Sequence, residues 1–220
     1  MAVHVGPGLG MAGSWTLFAA LMACGETDFR SNPPDAYLAH VEERLFSAET
    51  THVEFRIQSE GAFQADLQGE LSIQADGQVS LAANGTFGGE PVDLYLESAD
   101  STFTGGHEGG GGPMFDRVPP PALKEALVLG MTRMGLLHNL ARLVSGAPPD
   151  RADGGVDGWV RAVDPAWTEG GLTFQIVVAG QPSGEATLHF DTEGELVGRE
   201  QIVRFPGGEM QVREEYRYRP

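Results

Sequence analysis

The chain has 220 residues, with 31 acidic side chains against 14 basic ones, a formal charge of −17, 31 glycines and a single cysteine. Its length suits one domain with a substantial core. Its acidity excludes charge-driven binding to nucleic acid or to an anionic membrane surface, and one cysteine excludes an internal disulfide.

The first feature in chain order is Trp15 to Ala23, WTLFAALMA, an uncharged run too short to span a bilayer and of the length of a signal-peptide hydrophobic region. Leu21-Met22-Ala23-Cys24-Gly25 follows, and it resembles the lipobox of bacterial lipoproteins. That resemblance implies that residues 1–24 are a signal peptide ending at a lipidated Cys24, shortened to residues 11–24 if translation starts at Met11 instead of Met1. It also implies that polar, Pro-bearing residues 25–34 are a tether and that the chain meets the membrane through an N-terminal lipid anchor. Gly25 after the cysteine, in place of the Asp linked in some bacteria to inner-membrane retention, implies the outer membrane, facing the periplasm.

Asp35 to Phe46 reads as a short amphipathic helix with Leu38, Val41 and Leu45 on one side. Residues 52–98 then alternate apolar with polar side chains, the pattern of β-strands. Val53, Phe55 and Ile57 alternate with Glu54, Arg56 and Gln58, and Phe63, Ala65, Leu67, Leu71 and Ile73 keep the same parity. Ala75-Asp76-Gly77 and Asn84-Gly85 read as turns, with Val79, Leu81 and Ala83 between them and Val92, Leu94 and Leu96 beyond. The connections are short, which predicts a meander. Ser101 to Pro113 is rich in glycine and reads as a mobile connection, since it has no Walker-type ending and His107-Glu108 lacks a second histidine four residues on.

Pro119 to Ser145 carries the longest helical pattern. Leu123, Leu127, Met131, Met134, Leu137, Leu140 and Val144 recur at spacings of three and four. Pro119 to Pro121 suit a first turn, and Gly146, Pro148 and Pro149 form a stop. Such a helix would run to about 39 Å, long for this domain, so Gly130 and Gly135 predict a kink, a close approach to the sheet or a division into two helices. Residues 148–157 form a Gly- and Asp-rich linker, after which strands resume. Leu172, Phe174, Ile176 and Val178 alternate strictly, Ala186, Leu188 and Phe190 follow, and Asp191 to Gly194 turns into Leu196 to Phe205. The last strand places Met210, Val212, Tyr216 and Tyr218 on one side and Gln211, Arg213, Glu215, Arg217 and Arg219 on the other, solvated side.

Helix, strands, long helical insertion, strands: in this order residues 35–220 resemble the LolA/LolB lipoprotein-carrier superfamily and its LppX- and LprG-type relatives. The resemblance implies a single α+β domain, a curved antiparallel sheet forming a half-open barrel with an N-terminal helix and the insertion 119–145 covering its mouth. It further implies a cavity between sheet and helices that holds an acyl chain or another hydrophobic small molecule. The side chains expected to line it are Phe55, Ile57, Leu94, Leu96, Met131, Met134, Leu137, Phe174, Ile176, Leu188 and Phe190. Methionine suits such a wall because its unbranched thioether adapts to varied shapes.

No metal, cofactor or catalytic residue is expected. His40, His52, His107, His138 and His189 are scattered, and no Gly-x-Ser-x-Gly nucleophile motif occurs. His138 reads as a surface residue near a helix end, where the dipole favours its charged form. The alternative to a carrier is a surface or assembly lipoprotein that binds a protein partner through a sheet edge or its acidic face, with no cavity.

Overall fold

The computed structural model describes residues 28–99, 101–108, 113–147, 159–205 and 207–219. The residues expected to form a signal peptide, Cys24, the first residues of the expected tether and the expected linker at 148–157 fall outside them.

Among the described residues eleven strands form one antiparallel sheet. The first meander comprises β1 (Thr50–Gly61), β2 (Ala65–Gln74), β3 (Val79–Phe87), β4 (Glu90–Ala99), β5 (Thr102–His107) and β6 (Phe115–Arg117). After a helical insertion the second comprises β7 (Val160–Thr168), β8 (Gly171–Val178), β9 (Gln181–Phe190), β10 (Leu196–Phe205) and β11 (Gly208–Tyr218). The two join where the first strand pairs with the last, from Val53 opposite Tyr218 to Gly61 opposite Met210. The strand order is therefore β6-β5-β4-β3-β2-β1-β11-β10-β9-β8-β7.

The sheet curls without closing. From β5 to β7 a flat sheet would measure about 43 Å, nine spacings of about 4.8 Å. Yet a Cβ placed on Gly105 of β5 would lie 2.8 Å from Leu143 Cδ1, while Arg133, ten residues earlier in the insertion, donates to Val160 O on β7 at 3.1 Å. Ten helical residues cover about 15 Å, so only a strongly curved sheet reaches both. Alternation sets its faces: Val53, Phe55, Ile57, Leu67, Leu71, Leu94, Leu96, Phe174 and Leu188 are buried on the concave side. Arg56, Gln58, Arg213 and Glu215 are exposed on the other.

The helices lie over the concave face. α1 (Pro34–Ser47) buries Tyr37, Leu38, Val41 and Leu45, and its Glu42 is clamped by Arg133 in a bidentate pair of 2.7 Å bonds. The insertion contains α2 (Leu123–Leu129), a π-helical turn (Gly130–Met134) and α3 (Leu136–Val144). The division expected at Gly130 and Gly135 is there.

Three local expectations are corrected. Pro119 to Pro121 precede α2 instead of opening it, because a residue followed by proline is disfavoured in the α region; the helix starts at Leu123, whose N–H bonds Pro120 O at 3.0 Å. Asn84-Gly85 is not a turn but lies within β3, and the turn falls at Gly88-Gly89. Gly85 serves close approach, since a Cβ there would sit 2.1 Å from Asp66 O. The Gly-rich stretch is in part a strand: Thr102–His107 pairs with β4, and Gly105 leaves room for Phe115 and Leu143. The described part of the segment expected to be a tether is likewise packed. Phe29 stacks on Tyr37 at 5.3 Å and meets Trp167 and Phe190 at 5.8 Å, while Trp167 Nε1 donates to Asn32 O at 2.8 Å.

Candidate functional site

The division of the insertion is held from beneath by the sheet. At the π turn Gly135 N donates to Gly130 O, five residues back, and Gly135 adopts a φ of 96° that favours glycine. A break of this kind leaves carbonyls unpaired on one side and amides on the other. Arg199 on β10 donates to Arg133 O at 3.0 Å and reaches Gly130 O at 3.4 Å. Glu214 on β11 accepts from Leu136 N at 2.9 Å and from Leu137 N at 3.0 Å, at the positive end of α3. Gln201 Oε1 accepts from Arg199 at 2.8 Å, and the Tyr216 hydroxyl donates to Glu214.

All four sheet residues are buried. Burial pulls the Arg199 pKa down and Glu214 opposes that; burial first and then Glu214 push the Tyr216 phenol well above its usual value. The phenol therefore stays a donor. Asn139, 1% exposed, lies against Gly130, and its amide finds no partner among the described residues.

Beside this cluster lies a cavity of about 490 Å³. Met134, Leu137, His138 and Ala141 form its helical wall. Ile176, Val178, Ser183, Val203, Arg204 and Met210 form the sheet wall, and Gln201 links it to the buried polar groups. Phe63 and Phe87, edge-to-face at 4.6 Å, stand at the rim. The wall is mainly apolar, and Phe63, Phe87, Met134, Val178 and Met210 are only partly buried, so apolar surface is left uncovered there. A larger concavity of about 890 Å³ lies across the outer face of the sheet, but charged groups such as Glu54, Arg56, Glu70, Arg213 and Arg217 line it, which suits water better than an apolar molecule.

Of the side chains predicted to meet a ligand, Met134, Leu137 and Ile176 line the cavity. Phe55, Ile57, Leu94, Leu96, Met131, Phe174 and Leu188 sit in the packed core, each 4% exposed or less. Phe190 belongs to the aromatic cluster around Phe29 at the far end of the sheet. Cys24 is outside the described residues. Sequence reasoning missed Arg199, Gln201 and Glu214. One signal was available for Glu214, which shares the parity of Val212 and Tyr216 on the apolar side of the last strand.

His138 is corrected. It is half-buried against Trp159, with ring centroids 6.1 Å apart, and burial followed by the charge of Arg142 lowers its pKa to about 4. It is neutral at neutral pH and adds no charge to the cavity wall. Among the described residues no group of three His, Cys, Asp or Glu side chains is placed to hold a metal, and no helix is long and apolar enough to cross a membrane.

No family model matches the chain, and no curated protein matches it. Among solved structures it is similar to a LolA superfamily protein from Nitrosomonas europaea, at 8% identity and a TM-score of 0.28, over 84% of this chain and 92% of that one.

Proposed function

We propose that this protein binds an apolar ligand, an acyl chain being the class that fits best, in the cavity between α3 and the concave sheet. We propose also that it does so while anchored to the bacterial outer membrane, facing the periplasm, through a lipid on Cys24. The observation that carries the first part is the cavity: about 490 Å³ walled by apolar side chains that the protein itself leaves partly uncovered. That volume lies within the range of about 300–1,000 Å³ typical of small-molecule sites. The anchor is supported by the residues Leu21 to Gly25 and their resemblance to a lipobox.

The energetics suffice. If ligand and wall together lose about 500 Å² of apolar surface, the gain is roughly 12 kcal/mol at about 25 cal/mol per Å². Association costs of at least about 4 kcal/mol leave at most about 8, which sets micromolar affinity as the upper limit. Titration of the purified chain with a fluorescent fatty acid tests this. One saturable micromolar site, lost in Ala141→Trp because the indole fills the cavity, is the expected result; no saturable binding, or binding unaffected by that variant, refutes it.

A further inference from the structure

The cavity and the N-terminal segment lie at opposite ends of the sheet. The hairpins β1/β2, β3/β4, β8/β9 and β10/β11 turn at one end, where Phe63, Phe87, Val178 and Met210 form the half-exposed part of the cavity. The hairpins β7/β8 and β9/β10 turn at the other, and there the chain leading from Cys24 is fastened. Phe29, partly buried, packs against Tyr37, Trp167 and Phe190, Asn32 O accepts from Trp167, and Tyr37 donates to Gly194 O at 2.8 Å.

Between these ends β10 runs from Phe205 to Leu196, about 30 Å at about 3.3 Å per residue. Along it Val203 faces the cavity, Gln201 forms its floor, and Arg199, opposite Glu214, lies beyond the floor. The polar cluster thus closes the cavity on the side of the fastened segment and leaves the hairpin end as its opening. From Cys24 to Asp28 the chain can reach about 14 Å at most. That is less than half the length of β10, so an anchor on Cys24 stays near the Trp167 end while Phe29 is docked.

From this arrangement, which rests on the proposed anchor and cavity, we infer that the cavity opens away from the membrane holding the protein. Its apolar ligand is exchanged with a donor or acceptor approaching from the aqueous side, and not with the anchoring bilayer.

Energy transfer from tryptophan tests the orientation without any ligand. Once the first 23 residues are removed, the remaining tryptophans are Trp159, just before β7, and Trp167, next to its last residue, about 25 Å apart along the strand direction. The chain lipidated at Cys24 is reconstituted into phosphatidylcholine vesicles containing dansyl-headgroup lipid. Trp159→Phe, which leaves only Trp167, should raise the transfer efficiency per tryptophan above that of the unsubstituted chain, and Trp167→Phe should lower it. The reverse order, or equal efficiencies in both variants, overturns the orientation. Transfer from neither tryptophan overturns it together with the anchor. Failure of fatty-acid binding in solution would overturn the ligand reading and leave this orientation result intact, so the two are separable. Phe29→Ala should shrink the difference between the two variants by releasing the segment, and an unchanged difference overturns the docked segment as its cause.

Discussion

Arg199 and Glu214 face each other across β10 and β11, and each satisfies one side of the same helical break: Arg199 takes the carbonyls of Gly130 and Arg133, Glu214 the amides of Leu136 and Leu137. The pair is buried, so neither charge tolerates loss of the other. Arg199→Met and Glu214→Leu should each cost about 3–5 kcal/mol, and the double variant clearly less than the sum. Urea unfolding of the four proteins checks this. Additive losses would mean that the two residues act independently.

Gly135 lies directly over this pair. A Cβ there would sit 2.8 Å from Glu214 Oε1, and the φ of 96° is strained for any L-residue. Gly135→Ala should therefore destabilise by about 1–3 kcal/mol, although alanine is the better helix former. A stabilised Gly135→Ala in thermal unfolding would show that the break is not required.

Met131 and Met134 occupy different settings despite their shared helical stripe. Met131 is fully buried, whereas Met134 lines the cavity. Met131→Ala should cost about 2–5 kcal/mol of folding free energy. Met134→Ala should cost less and shift fatty-acid affinity instead. Paired chemical denaturation and binding titrations read both, and equal stability losses would count against the division into core and cavity wall.

His138 supplies a pH dependence. Its folded pKa of about 4 lies below the unfolded value of about 6.5, so the folded state favours the neutral imidazole. Its contribution is full above about pH 6.5 and is lost as pH falls toward 4, by about 2 kcal/mol after discounting for partial exposure. Acidic side chains titrate in the same range, so the informative quantity is a difference. His138→Gln should lose less stability than the unsubstituted chain between pH 6.5 and 4, and identical slopes would refute the assignment.

Much of the fold was legible because strand alternation and helical spacing both follow from burying one face. Val53, Phe55 and Ile57 or Leu172, Phe174 and Ile176 declare their inward side without reference to the rest of the chain. Gly130 and Gly135 declare the break. Asn84-Gly85 misleads because a turn glycine and a glycine yielding to a neighbouring carbonyl look alike in sequence; only the strand partner at Asp66 distinguishes them. The site was legible in part for a related reason. Alternation shows that Phe174 and Ile176 point inward, but not whether the space above each is filled. Phe174 is packed, whereas Ile176, near the hairpin end, lines the cavity. Arg199 and Glu214 escaped notice because their roles depend on backbone groups of a helix dozens of residues away.

The most direct test of the central claim is photo-crosslinking with a diazirine-bearing fatty acid, with the modified peptides located by mass spectrometry. Saturable adducts on the segments holding Met134, Leu137, Ile176 and Met210, competed by unlabelled fatty acid, are the expected result. Adducts spread over the outer face around Arg56 and Arg213, or none that competitor removes, would contradict the cavity as a binding site.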